Sequence, residues 1–159
     1  IRNELQAATF RLSEERRVRL LLSPSGAMAI EARPLPASPR LATVALAPLP
    51  VAPSDFRLRH KTSDRAFHDA ARRAAKDMFE VLFVDEDGFL TEGSFTSLFV
   101  EQGGRLVTPP LARGLLPGVL RASLIAEGRA VEGDLMPGDL EDGFYIGNAL
   151  RGLVQARLA

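Results

Sequence analysis

A cluster of prolines constrains the fold of this 159-residue sequence more than any other feature. Six of the eleven prolines lie between Pro34 and Pro53. Because proline has no backbone N–H, it is excluded from helix interiors and from the central strands of sheets. We therefore interpret residues 34–55 as an extended connection that contains one piece of edge strand, residues 41–46. This connection is the best candidate for a boundary between two lobes.

Short strands and a few helices are predicted for the remaining chain. Residues 17–33 indicate a β-hairpin, because apolar and polar residues alternate on both sides of a Ser-Pro-Ser-Gly turn. Helical spacing of apolar residues predicts a short helix at 1–12, a helix at 64–77 and a helix that Pro117 opens and that ends near Gly128. The other strands are expected at 56–61, 80–84, 89–91, 97–101, 105–108, 130–132, 144–147 and 153–157. The mixture predicts an α+β (mixed α/β) fold.

The composition excludes several classes of function. Twenty basic and 20 acidic residues give zero formal net charge, which argues against a nucleic-acid or membrane partner attracted by charge. The chain has no cysteine and only two isolated histidines, so no disulfide and no metal site are predicted. No apolar run approaches the roughly 20 residues of a membrane span, and no signal peptide is visible, so a cytoplasmic location is expected. Because the sequence begins at Ile1 within a predicted helix, we expect it to be a fragment.

Lys61 is the first candidate for chemistry, at the end of a predicted strand and just before the potential helix caps Thr62, Ser63 and Asp64. A lysine in such a place is ordinarily a solvated charge. If the sheet desolvated the amine, its pKa would fall toward neutrality, and the amine would become a usable nucleophile or base.

Three further segments carry polar or glycine residues at the ends of predicted elements. In residues 116–121 (LPGVLR), an ordinary helix start or a phosphate site is possible, because N–H groups at a helix N-terminus bind anions and Gly118 permits close approach. Glu92 is either part of a turn or a carboxylate that keeps a basic ring nitrogen protonated. Asn148 either closes an Asx-turn or contacts an anion.

Taken together and in order, four segments resemble the class IV aminotransferases, which are pyridoxal-phosphate (PLP) enzymes of fold type IV. Residues 60–65 (HKTSDR) resemble the segment of the Schiff-base lysine, and residues 90–100 (LTEGSFTSLFV) resemble the glutamate segment. Residues 108–120 (TPPLARGLLPGVL) resemble the phosphate-binding turn, and residues 144–157 (FYIGNALRGLVQAR) resemble the C-terminal strand pair. The wording is most similar to that of aminodeoxychorismate lyases.

The resemblance implies a fold and a role for each matching residue. The expected fold is a C-terminal pseudo-barrel lobe that binds PLP, residues 51–159, plus the remnant of a small N-terminal α/β lobe, residues 1–50. Lys61 would bond to the cofactor aldehyde and later shuttle the proton. Glu92 would face the pyridine nitrogen and keep it cationic, and Leu116 would pack against the ring.

The remaining implied contacts are with phosphate and substrate. The N–H groups of Val119 and Leu120, beside Gly118, would hold the phosphate with help from Asn148. Arg65 and the backbone of Ala149 would contact substrate carboxylates. The sequence departs from the family pattern at Leu120, where many relatives have threonine, and at Ser97, where many have asparagine.

The function implied by the resemblance is that of a PLP-dependent 4-amino-4-deoxychorismate lyase, which forms p-aminobenzoate and pyruvate in folate biosynthesis. A branched-chain or D-amino-acid transaminase of the same family and a non-catalytic fragment of such an enzyme remain alternatives. The resemblance also implies a homodimer and a small-molecule substrate, and it includes enzymes fused to, or working with, an aminodeoxychorismate synthase. Since most of the small lobe is absent, the fragment itself is expected to bind PLP weakly or to be inactive.

Overall fold

The computed structural model describes residues 1–159 and divides them into two compact units, Ile1–Ser38 and Pro39–Ala159. The smaller unit contains the helix α1 (Arg2–Thr9) and an antiparallel hairpin of β1 (Arg16–Leu22) and β2 (Met28–Pro34). The hairpin predicted from alternating residues is therefore confirmed. The division between the units falls earlier in the chain than the boundary expected at residue 50.

The larger unit contains eight strands and three helices. Its elements are β3 (Ala42–Pro48), α2 (Phe56–Arg59), α3 (Ala66–Ala74), β4 (Glu80–Val84), β5 (Leu90–Gly93), β6 (Ser97–Gln102), β7 (Arg105–Thr108), α4 (Val119–Ala126), β8 (Ala130–Glu132), β9 (Phe144–Asn148) and β10 (Gly152–Leu158). Short 3₁₀ turns at Leu111–Arg113 and Pro137–Leu140 complete it. The mixed α/β class is confirmed, and no helix is long and apolar enough to cross a membrane.

The eight strands form one mixed sheet that curls into a half-barrel. Their order is β5-β4-β3-β10-β9-β6-β7-β8. The strands β5 and β6 are joined by a tight turn in sequence, yet four other strands separate them in the sheet. A turn this short can join them only if the sheet bends round until its edge approaches β6. One continuous apolar cluster, which includes Leu82, Leu90, Leu98 and Ile146, fills the inside of this curve.

The prediction of an edge strand at residues 41–46 is wrong, because β3 lies in the middle of the sheet. It pairs in parallel with β4 on one side and with β10 on the other. The prolines do not prevent this arrangement, since Pro39 precedes the strand and Pro48 is its last residue. Ala42 and Val44 are fully buried in the core of the sheet.

The sequence from Phe56 also differs from the prediction, which placed a strand at 56–61. Asp55 caps a short helix instead: its Oδ1 accepts from the Arg57 backbone N–H at 2.9 Å, and its carboxylate pairs with the Arg57 guanidinium at 2.7 Å. The following helix α3 begins at Ala66, and its N-cap residue is Arg65, whose side chain does not cap the helix. The predicted caps at 62–64 therefore lie in the loop between the two helices.

His68 on α3 is a buried histidine without a hydrogen bond at Nδ1. Its ring stacks on Phe67 at a centroid distance of 3.9 Å and meets the edge of Phe83 at 5.8 Å. Burial, together with the positive charge of Arg65, lowers the pKa of His68 from 6.5 to about 4. The folded protein therefore holds this imidazole in its neutral form.

The free energy of unfolding should consequently decrease as the pH falls from 6.5 to about 4. The unfolded chain protonates His68 near pH 6.5 and the folded chain only near pH 4. The contribution of neutral His68 to the free energy of unfolding is therefore fully present above pH 6.5 and decreases as the pH falls toward 4. The decrease in the free energy of unfolding across this window is up to about 3 kcal/mol. Urea unfolding across this pH range should show a steeper decrease for the wild type than for His68→Leu. Parallel pH profiles would contradict the assignment.

Candidate active site

The carboxylate of Glu92 is the most buried charged group among the predicted site residues. It lies on β5 and is 7% exposed, and its Oε1 accepts from the Leu116 N–H at 3.0 Å. Burial raises the pKa of Glu92 to about 8, although the Leu116 bond and the positive charges of Lys61 and Arg65 oppose the increase. The isolated protein thus holds Glu92 protonated at neutral pH.

This raised pKa predicts that Glu92→Gln makes the protein more stable at neutral pH. Between pH 4.5 and 8 the unfolded chain ionises Glu92 while the folded chain does not, so wild-type stability decreases as the pH rises through this window. At pH 7 the variant should be more stable by about 3 kcal/mol. The measurement is denaturant unfolding at pH 4.5 and pH 7. An equal difference between the two proteins at both pH values would contradict the prediction.

The N-terminus of helix α4, called here its entrance, lies next to Glu92. The Gly118 N–H donates to the Leu116 carbonyl at 2.7 Å, which closes a tight turn before the helix. Gly118 is the N-cap residue, and no side chain caps the helix. Pro117 therefore stands before the N-cap and not at the first helical position that was predicted for it.

The first N–H groups of α4 have no acceptor in the protein. The first recorded bond of the helix joins the Ala122 N–H to the Gly118 carbonyl at 2.9 Å, which leaves the N–H groups of Val119, Leu120 and Arg121. Such groups carry the positive end of the helix dipole and favour an anion. The entrance of α4 thus has the free donors that an anion site needs, and phosphate binding there stays a prediction.

The strand pair β9–β10 packs beneath this entrance. A Cβ on Gly147 would lie 2.5 Å from the Gly152 carbonyl oxygen and 2.7 Å from Leu120 Cδ2, so the backbone of β10 leaves room only for glycine here, beside α4. Asn148 closes an Asx-turn, because its Oδ1 accepts from the N–H groups of Leu150 and Arg151 at 3.0 and 3.1 Å. Its Nδ2 donates to the Phe95 carbonyl at 3.2 Å. The Asx-turn interpretation is confirmed, and the contact of Asn148 with phosphate stays a prediction.

Lys61 lies in the loop between α2 and α3 and is exposed. The predicted strand that would end at this lysine is wrong, because α2 and the loop after it replace that strand, and the bond of Lys61 to a cofactor stays a prediction. Lys61 still interacts with the candidate site, because its positive charge lowers the pKa of Glu92. Its ammonium group is thus near enough to the buried carboxyl to affect its protonation.

The two predicted substrate residues differ in how far they are engaged. Arg65 is half-buried, and its Nη2 donates to the Ser94 carbonyl, which fastens the turn after Glu92. Ala149 lies in the exposed turn between β9 and β10, and its N–H has no acceptor in the protein. Contact of either residue with substrate stays a prediction.

Sequence reasoning missed Glu80, a fully buried carboxylate that organises the turn between β5 and β6. Its Oε1 accepts from the Ser94 hydroxyl at 2.5 Å and the Ser94 N–H at 3.0 Å. Its Oε2 accepts from the Thr96 hydroxyl at 2.7 Å and the Phe95 N–H at 3.2 Å. The available signal was an acidic residue that opens an otherwise apolar strand, followed by the hydroxyl-rich segment 93–97 (GSFTS).

Comparison with known proteins identifies the family. The family model described as "Amino-transferase class IV" matches residues 1–159, and this chain belongs to that family. A Mesorhizobium loti structure named as an amino-acid aminotransferase is 36% identical, has a TM-score of 0.91, and is matched over 100% of this chain and 80% of its own. The fold type IV architecture inferred from the resemblance is confirmed.

Two relatives are named for different activities. A Thermotoga maritima protein named as a branched-chain-amino-acid aminotransferase is 36% identical over 62 residues, which are 39% of this chain and 23% of that protein. The aminodeoxychorismate lyase of Saccharomyces cerevisiae is 34% identical over 92 residues, 55% of this chain and 25% of that protein. The matches thus span about a quarter of each relative. A Mycobacterium tuberculosis structure of similar fold, named as an aminotransferase in its PLP-bound form, is 23% identical with a TM-score of 0.78. The match covers 96% of this chain and 63% of that chain.

Proposed function

We propose that this chain is the cofactor-holding part of a PLP-dependent 4-amino-4-deoxychorismate lyase, which releases p-aminobenzoate and pyruvate in folate biosynthesis. One observation carries the proposal: the buried carboxyl of Glu92 is fixed by Leu116 beside a helix entrance whose N–H groups have no acceptor. An acidic group next to an anion site suits a small molecule that carries both a basic nitrogen and a phosphate.

The residues present fit PLP. Gly118 contributes no side chain at the entrance of α4, and the N–H groups of Val119 and Leu120 are available to phosphate oxygens. Glu92 would hold the pyridine nitrogen in its protonated form, and Leu116 would pack against the ring. When bound, PLP supplies an electron-poor ring that takes up negative charge from the substrate carbon.

Lys61 would hold the cofactor through its amine and then act as the base. In the lyase reaction, its amine removes the proton from the ring carbon that carries the substrate nitrogen. The C–O bond to the enolpyruvyl group breaks, and the leaving group takes a proton to become pyruvate, while the six-membered ring becomes aromatic. An amine exposed in a loop can exchange its proton with water, which suits a group that must be base in one step and acid in the next.

Glu92 and its surroundings would keep the ring of the cofactor electron-poor. The carboxyl group is buried, so its interaction with a pyridinium is little screened by water. Arg65 and the Ala149 N–H would then receive substrate carboxylates, and Asn148 would assist at the phosphate.

An amino-acid transaminase is the second candidate function. The Mesorhizobium loti structure, which is matched over the whole of this chain, is named as an aminotransferase. The match to the yeast lyase over 55% of the chain supports the lyase, and the 36% identity of the Thermotoga protein over 39% of the chain supports the transaminase. The same lysine and cofactor would serve both reactions, and only the lyase would need no keto acid.

The test is to assay the whole enzyme for both reactions. We expect p-aminobenzoate to appear from 4-amino-4-deoxychorismate without a keto acid. Amino transfer from branched-chain or D-amino acids to 2-oxoglutarate, without p-aminobenzoate, would overturn the lyase and support the second candidate. A protein with no visible absorbance in the presence of PLP would instead support the non-catalytic alternative. Homodimerisation, a fused or cooperating aminodeoxychorismate synthase and cytoplasmic location stay predictions.

A further inference from the structure

Ser97 is a buried residue whose hydroxyl lies beside the entrance of α4. It opens β6, is 7% exposed, and pairs through its backbone with Gly147 of β9. The Cβ atom that Gly118 lacks would lie 3.0 Å from Ser97 Oγ. The hydroxyl of Ser97 therefore approaches the helix from the side to which an N-cap side chain would point.

The Ser97 hydroxyl lies where the side chain of an N-cap residue would normally be. An N-cap side-chain oxygen normally accepts from the second or third N–H of the helix. Gly118 has no such oxygen, no side chain caps the helix, and Ser97 Oγ makes no hydrogen bond with its backbone. The Ser97 O–H instead lies beside the N-cap residue, on the same side as the first N–H groups of the helix. A tetrahedral oxyanion has several oxygens with which to accept from such neighbouring donors.

We propose that Ser97 Oγ donates a hydrogen bond to the phosphate held at the entrance of α4. This inference rests on the proposed function, in which that phosphate belongs to PLP. Leu120 carries no hydroxyl at the second position of the helix, so β6 supplies from the sheet a contact that the helix itself does not provide. The phosphate site is then shared between α4 and the strand that directly follows the Glu92 turn.

The test compares a ligand with phosphate and one without it. In Ser97→Ala, we expect binding of PLP, titrated by absorbance, to weaken by about 10- to 100-fold, because a hydrogen bond to a charged group is lost. Binding of pyridoxal, which has no phosphate, should not change. The matched control is Ser123→Ala, since Ser123 lies on α4 but is exposed and its hydroxyl donates to the Glu127 carboxylate, and this variant should bind both ligands like the wild type.

Inorganic phosphate provides an independent measurement. Phosphate should shift the amide NMR signals of Val119 and Leu120 in the wild type, and Ser97→Ala should require a higher concentration for the same shift. The proposal is overturned if Ser97→Ala changes PLP and pyridoxal binding equally, or changes neither. If the wild type gives no absorbance change with PLP, the proposed function fails, and the phosphate titration alone decides the role of Ser97. Absence of phosphate-dependent shifts, or equal shifts in the variant, would then reject it.

Discussion

Replacement of Lys61 by alanine is expected to lower p-aminobenzoate release by about 10³-fold or more and to remove the visible absorbance of bound PLP. This large decrease in rate is expected because one amine would both bond to the cofactor and act as the base. Loss of a general base alone typically lowers the rate by 10²- to 10⁴-fold. Activity should be measured in the whole enzyme, and absorbance should be recorded after removal of free PLP. Folding should be unaffected, since Lys61 is exposed in a loop.

The sequence offers a matched control for this experiment. The chain has two lysines, and the second, Lys76, is also exposed and lies after the end of α3. Lys76→Ala should retain the activity and the absorbance of the wild type. A Lys61→Ala enzyme that kept both properties, or a Lys76→Ala enzyme that lost them, would refute the assignment of the lysine.

Replacement of Glu80 by alanine is expected to destabilise the protein by about 3–5 kcal/mol, since breaking a buried charged network leaves its partners unpaired. Burial raises the pKa of Glu80, while hydrogen bonds from Ser94 and Thr96 lower it. The Arg72 guanidinium lies 3.7 Å from Oε1 and adds partial charge compensation. Loss of the carboxylate would leave the hydroxyls of Ser94 and Thr96 without their acceptor.

Denaturant unfolding of Glu80→Ala and of Glu101→Ala measures this effect. Glu101 lies on β6 and is exposed, so its replacement should change the unfolding free energy by less than about 0.5 kcal/mol. The unfolding free energy of Glu80→Gln should lie between those of the two alanine variants, because the glutamine amide keeps one acceptor oxygen and the size of the side chain. Equal stability of Glu80→Ala and Glu101→Ala would show that the network contributes nothing to the folded state.

Local patterns predicted those parts of the fold that depend on neighbouring residues. The β1–β2 hairpin and the strands β4 to β7 follow from alternation and from glycine turns, which act over a few residues. The central position of β3 could not be predicted in this way. It depends on pairing with β4 and β10, and β10 is the last strand of the chain. The prolines beside β3 exclude strand structure only at their own positions.

The candidate site shows the same division between local and distant information. Glu92 and the Gly118 turn carry local signals, and the structure brings them together through the Leu116 N–H. The role of Glu80 was not visible, because its partners lie 14 to 16 residues further along the chain. The setting of Lys61 was misjudged, since the capping bond of Asp55 favours a helix over the strand that alternation suggested.

Reduction with borohydride tests the central claim most directly. Borohydride fixes PLP permanently on the amine to which it is bonded, and peptide mass mapping then locates it. This chain has two lysines, Lys61 and Lys76, and the label is expected on the peptide that contains Lys61. Label on Lys76, or no label within this chain after incubation with PLP, would contradict the proposal that the chain holds the cofactor through Lys61.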